Sequence, residues 1–288
     1  MIELSDLRSI LQKPITVEKY SSLSQVISEL LKNKISRLVV TDNDSSVGII
    51  TEKDIGLFLL EDDSEKNLDE IPVSQIMNML TSVNDTMSVE KCVEIMLEKK
   101  IGSLGVTPNN NGPIGIITKT DIAQYYVQKY AKTHTVGDVM TISYISMNHD
   151  ATLRNVVSEM IDKKISRIFI KNENDDPQGI LTFRDLFHIA LEQGNTDSVL
   201  DSSDPAISVV FTRKGFLSDS GLGSTMKAKD VMTKTFESVN FDEDLTIACE
   251  KMIQNKVNGV GVRINEKLGG VVSKTDILKA IYIDSKSK

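Results

Sequence analysis

The sequence predicts a mixed α/β (α+β) protein made of four β-α-β-β-α repeats arranged as two pairs. Three observations predict it. Gly, two apolar residues, Ser or Thr, two variable residues and Asp recur as Gly48–Asp54, Gly115–Asp121, Gly179–Asp185 and Gly270–Asp276. At this composition such a pattern arises by chance about 0.2 times, so four copies mark internal repetition. Each copy also follows the same succession of helical spacing, a short β-branched run and a polar turn. Finally, the copies match alternately. Lys34-Ile35-Ser36-Arg37 corresponds to Lys164-Ile165-Ser166-Arg167, and Ile101-Gly102-Ser103-Leu104-Gly105-Val106 to Val257-Asn258-Gly259-Val260-Gly261-Val262. Residues 14–40 and 144–170 share nine identities in 27 without a gap, as expected of a duplicated two-repeat unit.

The first repeat shows why each element is expected. A strand is predicted around Ile15-Thr16-Val17. Leu23, Val26, Ile27, Leu30 and Leu31 then fall at helical spacing. Leu38-Val39-Val40 reads as a strand, Asp42–Ser46 as a polar turn and Val47–Ile50 as a second strand. Thr51 and Asp54 then open a final helix in the manner of a capping box with Asp in place of Glu. The repeats are placed at about 8–62, 70–131, 135–193 and 227–284, giving modules 1–131 and 135–288.

The Asp-to-Asp spacings are 67, 64 and 91, so the last interval carries an insertion of residues 195–226. It contains a strand-like run, Ile207–Thr212, and Gly215, Gly221 and Gly223. It lacks the Gly-Lys-[Ser/Thr] ending of a phosphate-binding P-loop. A surface linker is the plain reading, and a partner-contact or ligand-responsive lid the sharper one. The tail Asp284–Lys288 is expected to fray.

Composition bounds the function. The chain has 288 residues, 40% hydrophobic and 26% charged, long enough for two domains with their own cores and no staples. Its net charge of −8 disfavours sequence-independent nucleic-acid binding. Cys92 and Cys249 form no C-x-x-C, and His134, His149 and His188 are scattered, so neither a zinc site nor a redox pair is expected. Buried free thiols suit a reducing, cytoplasmic setting. The amino terminus has no secretory pattern, and no stretch has the length of a membrane span. Met77/Met96, Met140/Met160 and Met232/Met252 read as packing between repeats.

Asp138-Val139-Met140-Thr141 and Asp230-Val231-Met232-Thr233, the Ile-Ser-Arg strand and the Gly-h-h-[Thr/Ser]-x-x-Asp motif resemble CBS domains, named after cystathionine β-synthase. The resemblance covers the chain apart from about 195–226. It implies two pseudo-twofold CBS pairs with clefts for adenosine nucleotides, AMP, ADP or ATP, as regulatory ligands, or S-adenosylmethionine. No cofactor is required. A four-repeat chain is similar to the gamma subunit of AMP-activated protein kinase and to free-standing prokaryotic proteins. By resemblance, Asp54, Asp121, Asp185 and Asp276 hold ribose, and Thr51, Thr118, Thr182 and Ser273 touch ribose or phosphate. Arg37 and Arg167 reach phosphate, for which a guanidinium is suited. Thr141 and Thr233 lie near the base, at a position filled by Gln12 and Asn78 in the first two repeats.

Physical chemistry is compatible with this and with a plainer role. A helix amino terminus attracts anions, yet a Ser or Thr N-cap stabilises its helix by about 1 kcal/mol without any ligand. Ser103 and Gly259 replace the arginines in the even repeats, so the clefts of a pair are expected to differ. Lys53, Lys119, Arg184 and Lys274, in or near first helical turns, oppose the helix dipole unless an anion offsets them. Three readings follow: a nucleotide sensor, a nucleotide-independent scaffold with vestigial clefts, and an enzyme, which the missing nucleophile–base pair and metal cluster disfavour. With the chain spent on repeats, output is expected through an unidentified protein partner or through self-association as a homodimer.

Overall fold

A computed structural model of the chain describes residues 7–43, 45–62, 64, 66–108, 115–194, 217 and 222–287. A short helix α1 (Leu7–Ile10) precedes the first repeat, β1 (Thr16–Glu18), α2 (Leu23–Asn33), β2 (Arg37–Asp42), β3 (Ser45–Thr51) and α3 (Glu52–Glu61). The second comprises β4 (Ser82–Asn84), α4 (Val89–Glu98), β5 (Ser103–Thr107), β6 (Gly115–Thr118) and α5 (Lys119–Lys129). After α6 (Val136–Val139) and β7 (Thr141–Ile142) comes the third: β8 (Ser146–Asn148), α7 (Leu153–Asp162), β9 (Arg167–Lys171), β10 (Pro177–Thr182) and α8 (Phe183–Gly194). The fourth follows α9 (Ala228–Val231) with β11 (Ser238–Asn240), α10 (Leu245–Gln254), β12 (Gly259–Ile264), β13 (Lys267–Ser273) and α11 (Lys274–Lys286). The expectations for Ile207–Thr212, Gly215 and Gly221 lie outside the described residues. Within the insertion, Leu217 is buried and its carbonyl accepts a bond from Arg154.

Each repeat has one parallel and one antiparallel strand pairing. In the first, β1 runs parallel to β2, with α2 as the crossover, and β2 runs antiparallel to β3. Leu23, Val26, Ile27 and Leu30 line the buried face of α2, whose start is capped by Ser22 and Gln25. The helix ends on Lys34 in the left-handed region (φ 52). Lys34 N–H then reaches Leu31 O at 3.1 Å and Ile35 N–H reaches Leu30 O at 3.1 Å, a Schellman-type ending. Lys100 (φ 55), Lys164 (φ 57) and Lys256 (φ 53) repeat it. This reversal delivers Arg37, Ser103, Arg167 and Gly259 to equivalent strand starts, three residues later.

The repeats group into two compact units. One holds Met1–Ile15, Leu80–Tyr144 and Phe236–Lys288, with the second and fourth repeats. The other holds Thr16–Met79 and Ile145–Thr235, with the first and third. In the odd-repeat unit α2 packs on α8, and α3 packs on α7 and α8. Leu30, Leu59, Met160, Phe183 and Phe187 belong to its core. In the even-repeat unit α5 packs on α10 and α11, and α4 on α11, with Met96, Tyr126, Cys249, Met252 and Ile281 buried among them. Grouping by contact thus draws one repeat from each half of the chain, whereas 1–131 and 135–288 is a division along the sequence.

The segment leading into each repeat lies against the third strand of another. Gln12 bridges Ile116, Asn78 bridges Ile49 and Thr233 bridges Ile180, while Thr141 pairs with Val271. The first and second repeats therefore exchange leading segments, as do the third and fourth. This exchange explains the motif glycines. A Cβ on Gly48 would meet Met77 Sδ at 2.8 Å and Asn78 O at 2.9 Å; on Gly115 it would meet Leu11 Cγ at 2.5 Å and Gln12 O at 2.8 Å. On Gly179 it would meet Thr233 O at 2.6 Å, and Gly270 is similarly covered by Met140 and Thr141. Met77, Met140 and Met232 thus pack on motif glycines, and Met96, Met160 and Met252 are buried.

Two expectations are corrected. Asp42 and Ser45 are already strand residues, leaving a tight hairpin with Asn43 at φ 49 instead of a five-residue turn. Asp284–Lys286 continue α11, where Lys286 pairs with Glu94 at 3.0 Å and Asp284 lies 3.4 Å from His134. Among the described residues no helix is long and apolar enough to cross a membrane.

Candidate functional site

At each of four strand-to-helix corners the motif folds into the same local structure. Asp54 Oδ2 accepts the Thr51 backbone N–H at 2.9 Å and its hydroxyl at 2.5 Å. Asp121 Oδ2 accepts from Thr118 at 2.8 and 2.7 Å, and Asp185 Oδ2 from Thr182 at 2.7 Å twice. Asp276 Oδ2 accepts from Ser273 at 2.9 and 2.7 Å. One carboxylate oxygen per site is therefore committed to starting α3, α5, α8 and α11. Asp185 Oδ1 further accepts the Thr233 hydroxyl at 2.9 Å, and Asp276 Oδ1 pairs with Lys279 at 2.9 Å. Among the described residues, Oδ1 of Asp54 and of Asp121 takes no further side-chain hydrogen bond.

Strand register places the arginines. Arg37 is the cross-strand partner of Thr51, and Arg167 that of Thr182. Ser103 and Gly259 face Thr118 and Ser273 in the same way. Arg37 and Arg167, 130 positions apart, thus occupy equivalent corners. Leading segments supply the remaining candidates. Thr233 joins Thr182 and Asp185 directly through its bond to Asp185. Thr141 is exposed and pairs with Val271, two residues before Ser273. Gln12 and Asn78 fill the corresponding positions on Ile116 and Ile49.

First-turn charges find protein partners. Lys119 Nζ donates to Thr275 Oγ1 at 2.8 Å, and Lys274 Nζ donates to Thr120 Oγ1 at 2.8 Å, a reciprocal clamp between α5 and α11. Burial raises the Asp121 carboxyl above its ordinary range, while bonds from Thr118 and the Lys274 charge pull it down. In the odd-repeat unit, Arg184 Nε and Nη2 donate to Glu52 Oε1 at 3.1 and 3.0 Å. Burial pushes the Glu52 carboxyl up, chiefly opposed by Arg184. Lys53 is exposed.

Sequence reasoning missed Glu52 and the lysine clamp. The signal was present: Glu52 stands where the other repeats carry Lys119, Phe183 and Lys274, and Lys-Thr-Asp recurs in both even repeats. His149, Asp150 and Glu173 offer ligand atoms within 4.8 Å of one another. Lys229 already pairs with Asp150 at 2.6 Å, so this cluster reads as an ion-paired surface.

The family model for the CBS domain matches residues 5–61, 73–128, 136–192 and 228–283. The uncharacterized protein MJ1225 of Methanocaldococcus jannaschii is 23% identical over 290 residues, covering 93% of this chain and 95% of that protein. Its crystal structure, described as that of a proposed archaeal homolog of g-AMPK, aligns with a TM-score of 0.76 at 21% identity, covering 95% of this chain and 98% of that one. An uncharacterized conserved protein from Pyrococcus horikoshii aligns with a TM-score of 0.60 at 16% identity, over 95% and 98% of the two chains. These likenesses concern the fold.

Proposed function

Since this chain belongs to the CBS domain family, with four CBS domains, we propose that it is a cytoplasmic regulatory sensor of adenosine nucleotides and not an enzyme. AMP, ADP or ATP enters clefts between paired repeats, within 1–131 and 135–288, and shifts the equilibrium between two conformations read by a protein partner. Such a shift requires different affinities for the two states. Asp54, Asp121, Asp185 and Asp276 hold ribose hydroxyls, with Thr51, Thr118, Thr182 and Ser273 beside them. Arg37 and Arg167 hold phosphate, and Thr141 and Thr233 line the base end. The observation that carries this reading is the register that sets Arg37 opposite Thr51 and Arg167 opposite Thr182. A bidentate cation, a hydroxyl, a carboxylate and a helix amino terminus then converge at one corner. Asp54 and Asp121, with an oxygen to spare, are the stronger ribose ligands.

The engagement of both oxygens of Asp185 and Asp276 favours a second reading, a nucleotide-independent scaffold with vestigial clefts. Calorimetric titration of the full chain with AMP, ADP, ATP and S-adenosylmethionine decides. Saturable binding of an adenosine nucleotide, weakened by Asp54→Ala, is the expected result. S-adenosylmethionine alone would change the ligand class, and no binding by any of the four would overturn the sensor reading in favour of the scaffold.

A further inference from the structure

The odd-repeat unit contains a buried carboxylate that the sensor reading leaves without a role. Glu52 is 8% exposed and opens α3. Its helix start is already satisfied by Thr51 and Asp54, so it is not needed as a cap. Packing alone does not call for it either, since the equivalent residue of the third repeat is Phe183, which is buried in the core. Glu52 instead holds a guanidinium through both its Nε and Nη2 hydrogens, the edge with which arginine grips a phosphate. Its backbone N–H donates to Ser36 O at 3.0 Å, and Arg37, next in the chain, faces Thr51 across the strands. Arg37 and Asp185 both lie within electrostatic reach of its carboxylate. Glu52 thus stands amid two arginines and one motif carboxylate, Asp185, whereas its counterparts in the even-repeat unit are lysines, Lys119 and Lys274.

We propose that Glu52 is a built-in competitor for phosphate, a specificity-determining residue that limits how much phosphate charge the odd-repeat unit accepts. This rests on the nucleotide-sensor reading and adds a selection rule to it. A ligand bearing one phosphate can use Arg37 while Glu52 keeps Arg184. Outer phosphates that extend from Arg37 toward Arg184 would meet the Glu52 carboxylate or displace it from Arg184. Each alternative disfavours the triphosphate, since juxtaposed like charges and broken charge-assisted bonds both cost affinity.

The test titrates AMP and ATP, without divalent metal, into the full-length wild type and Glu52→Gln, with far-UV circular dichroism to verify folding. The wild type should bind AMP more tightly than ATP. Glu52→Gln should tighten ATP relative to AMP by roughly tenfold or more, because the isosteric amide keeps the shape and removes the charge. An unchanged ATP-to-AMP affinity ratio in Glu52→Gln overturns the proposal while leaving the sensor reading intact. Absence of any nucleotide binding to the wild type overturns both. Should Glu52→Gln not fold, the wild type alone still decides: tighter binding of ATP than of AMP refutes a carboxylate filter.

Discussion

Replacing Gly179 with Ala tests whether the motif glycines exist to admit a leading segment. The new Cβ would lie 2.6 Å from Thr233 O and 2.9 Å from Met232 Sδ. The Thr233 backbone must retreat by about 0.8 Å, from 2.6 to an ordinary 3.4 Å. Two bonds hold it in place, Ile180 N–H to Thr233 O and Thr233 N–H to Ile180 O, both at 2.9 Å. At about 1 kcal/mol per bond, with overpacking of about 1–3 kcal/mol, the expected loss is about 3–5 kcal/mol. At roughly 2–4 °C per kcal/mol, Tm should fall by about 6–20 °C. The Thr233 hydroxyl should also leave Asp185, which it contacts at 2.9 Å. The assay is thermal and urea unfolding of wild type, Gly179→Ala and Gly179→Ala/Met232→Ala. The double variant should not recover, because the closer obstacle is a backbone carbonyl. A Tm within about 2 °C of wild type, or full recovery in the double variant, would refute the reasoning.

Two further outcomes follow from burial. Cys92 and Cys249 are buried and their thiols are pushed up to about 12, so at pH 8 about one in 10⁴ is thiolate. Native protein should leave Ellman's reagent unreacted until denaturant exposes both thiols, and rapid labelling of either in the folded state would contradict their placement. Burial raises the folded-state Glu52 carboxyl above its ordinary 4.5. Its contribution to stability is therefore fully present below that value and lost as pH rises through the folded-state pKa. The stability of wild type minus that of Glu52→Gln should fall as pH rises from about 4.5, then level off. Urea unfolding of both proteins between about pH 4 and 7 measures this; a difference that grows with pH would mean Arg184 outweighs burial.

Much of the fold was legible because it is local. The helix starts depend on a hydroxyl and a carboxylate three residues apart, and their reciprocal bonds form within one turn. The helical spacing of Leu23, Val26, Ile27 and Leu30 names a buried face directly. Repetition then amplified these short signals fourfold. The tail differs for the complementary reason: Asp284 and Lys286 look like a polar terminus, whereas their partners His134 and Glu94 lie far away in sequence.

The candidate site was legible in its parts and not in its assembly. Arg37 was singled out by matching Arg167, but the register that sets it opposite Thr51 is a property of the paired strands. The motif glycines were visible as a pattern, whereas the reason for them, a carbonyl from another repeat, lies 30 to 129 positions away in sequence. Lys119 and Arg184 share the same first-turn context, yet one meets Thr275 and the other Glu52.

By itself, then, the sequence determined the four repeats, their strands and helices, the capping at each corner and the buried thiols, because those depend on hydrogen bonds and periodicities spanning a few residues. Only the tertiary structure decided that odd repeats pack with odd and even with even, that leading segments cover the glycines, and that Glu52 occupies Arg184. Those outcomes depend on which distant surfaces exclude water and which charges burial brings together, and no short stretch of chain encodes either alone.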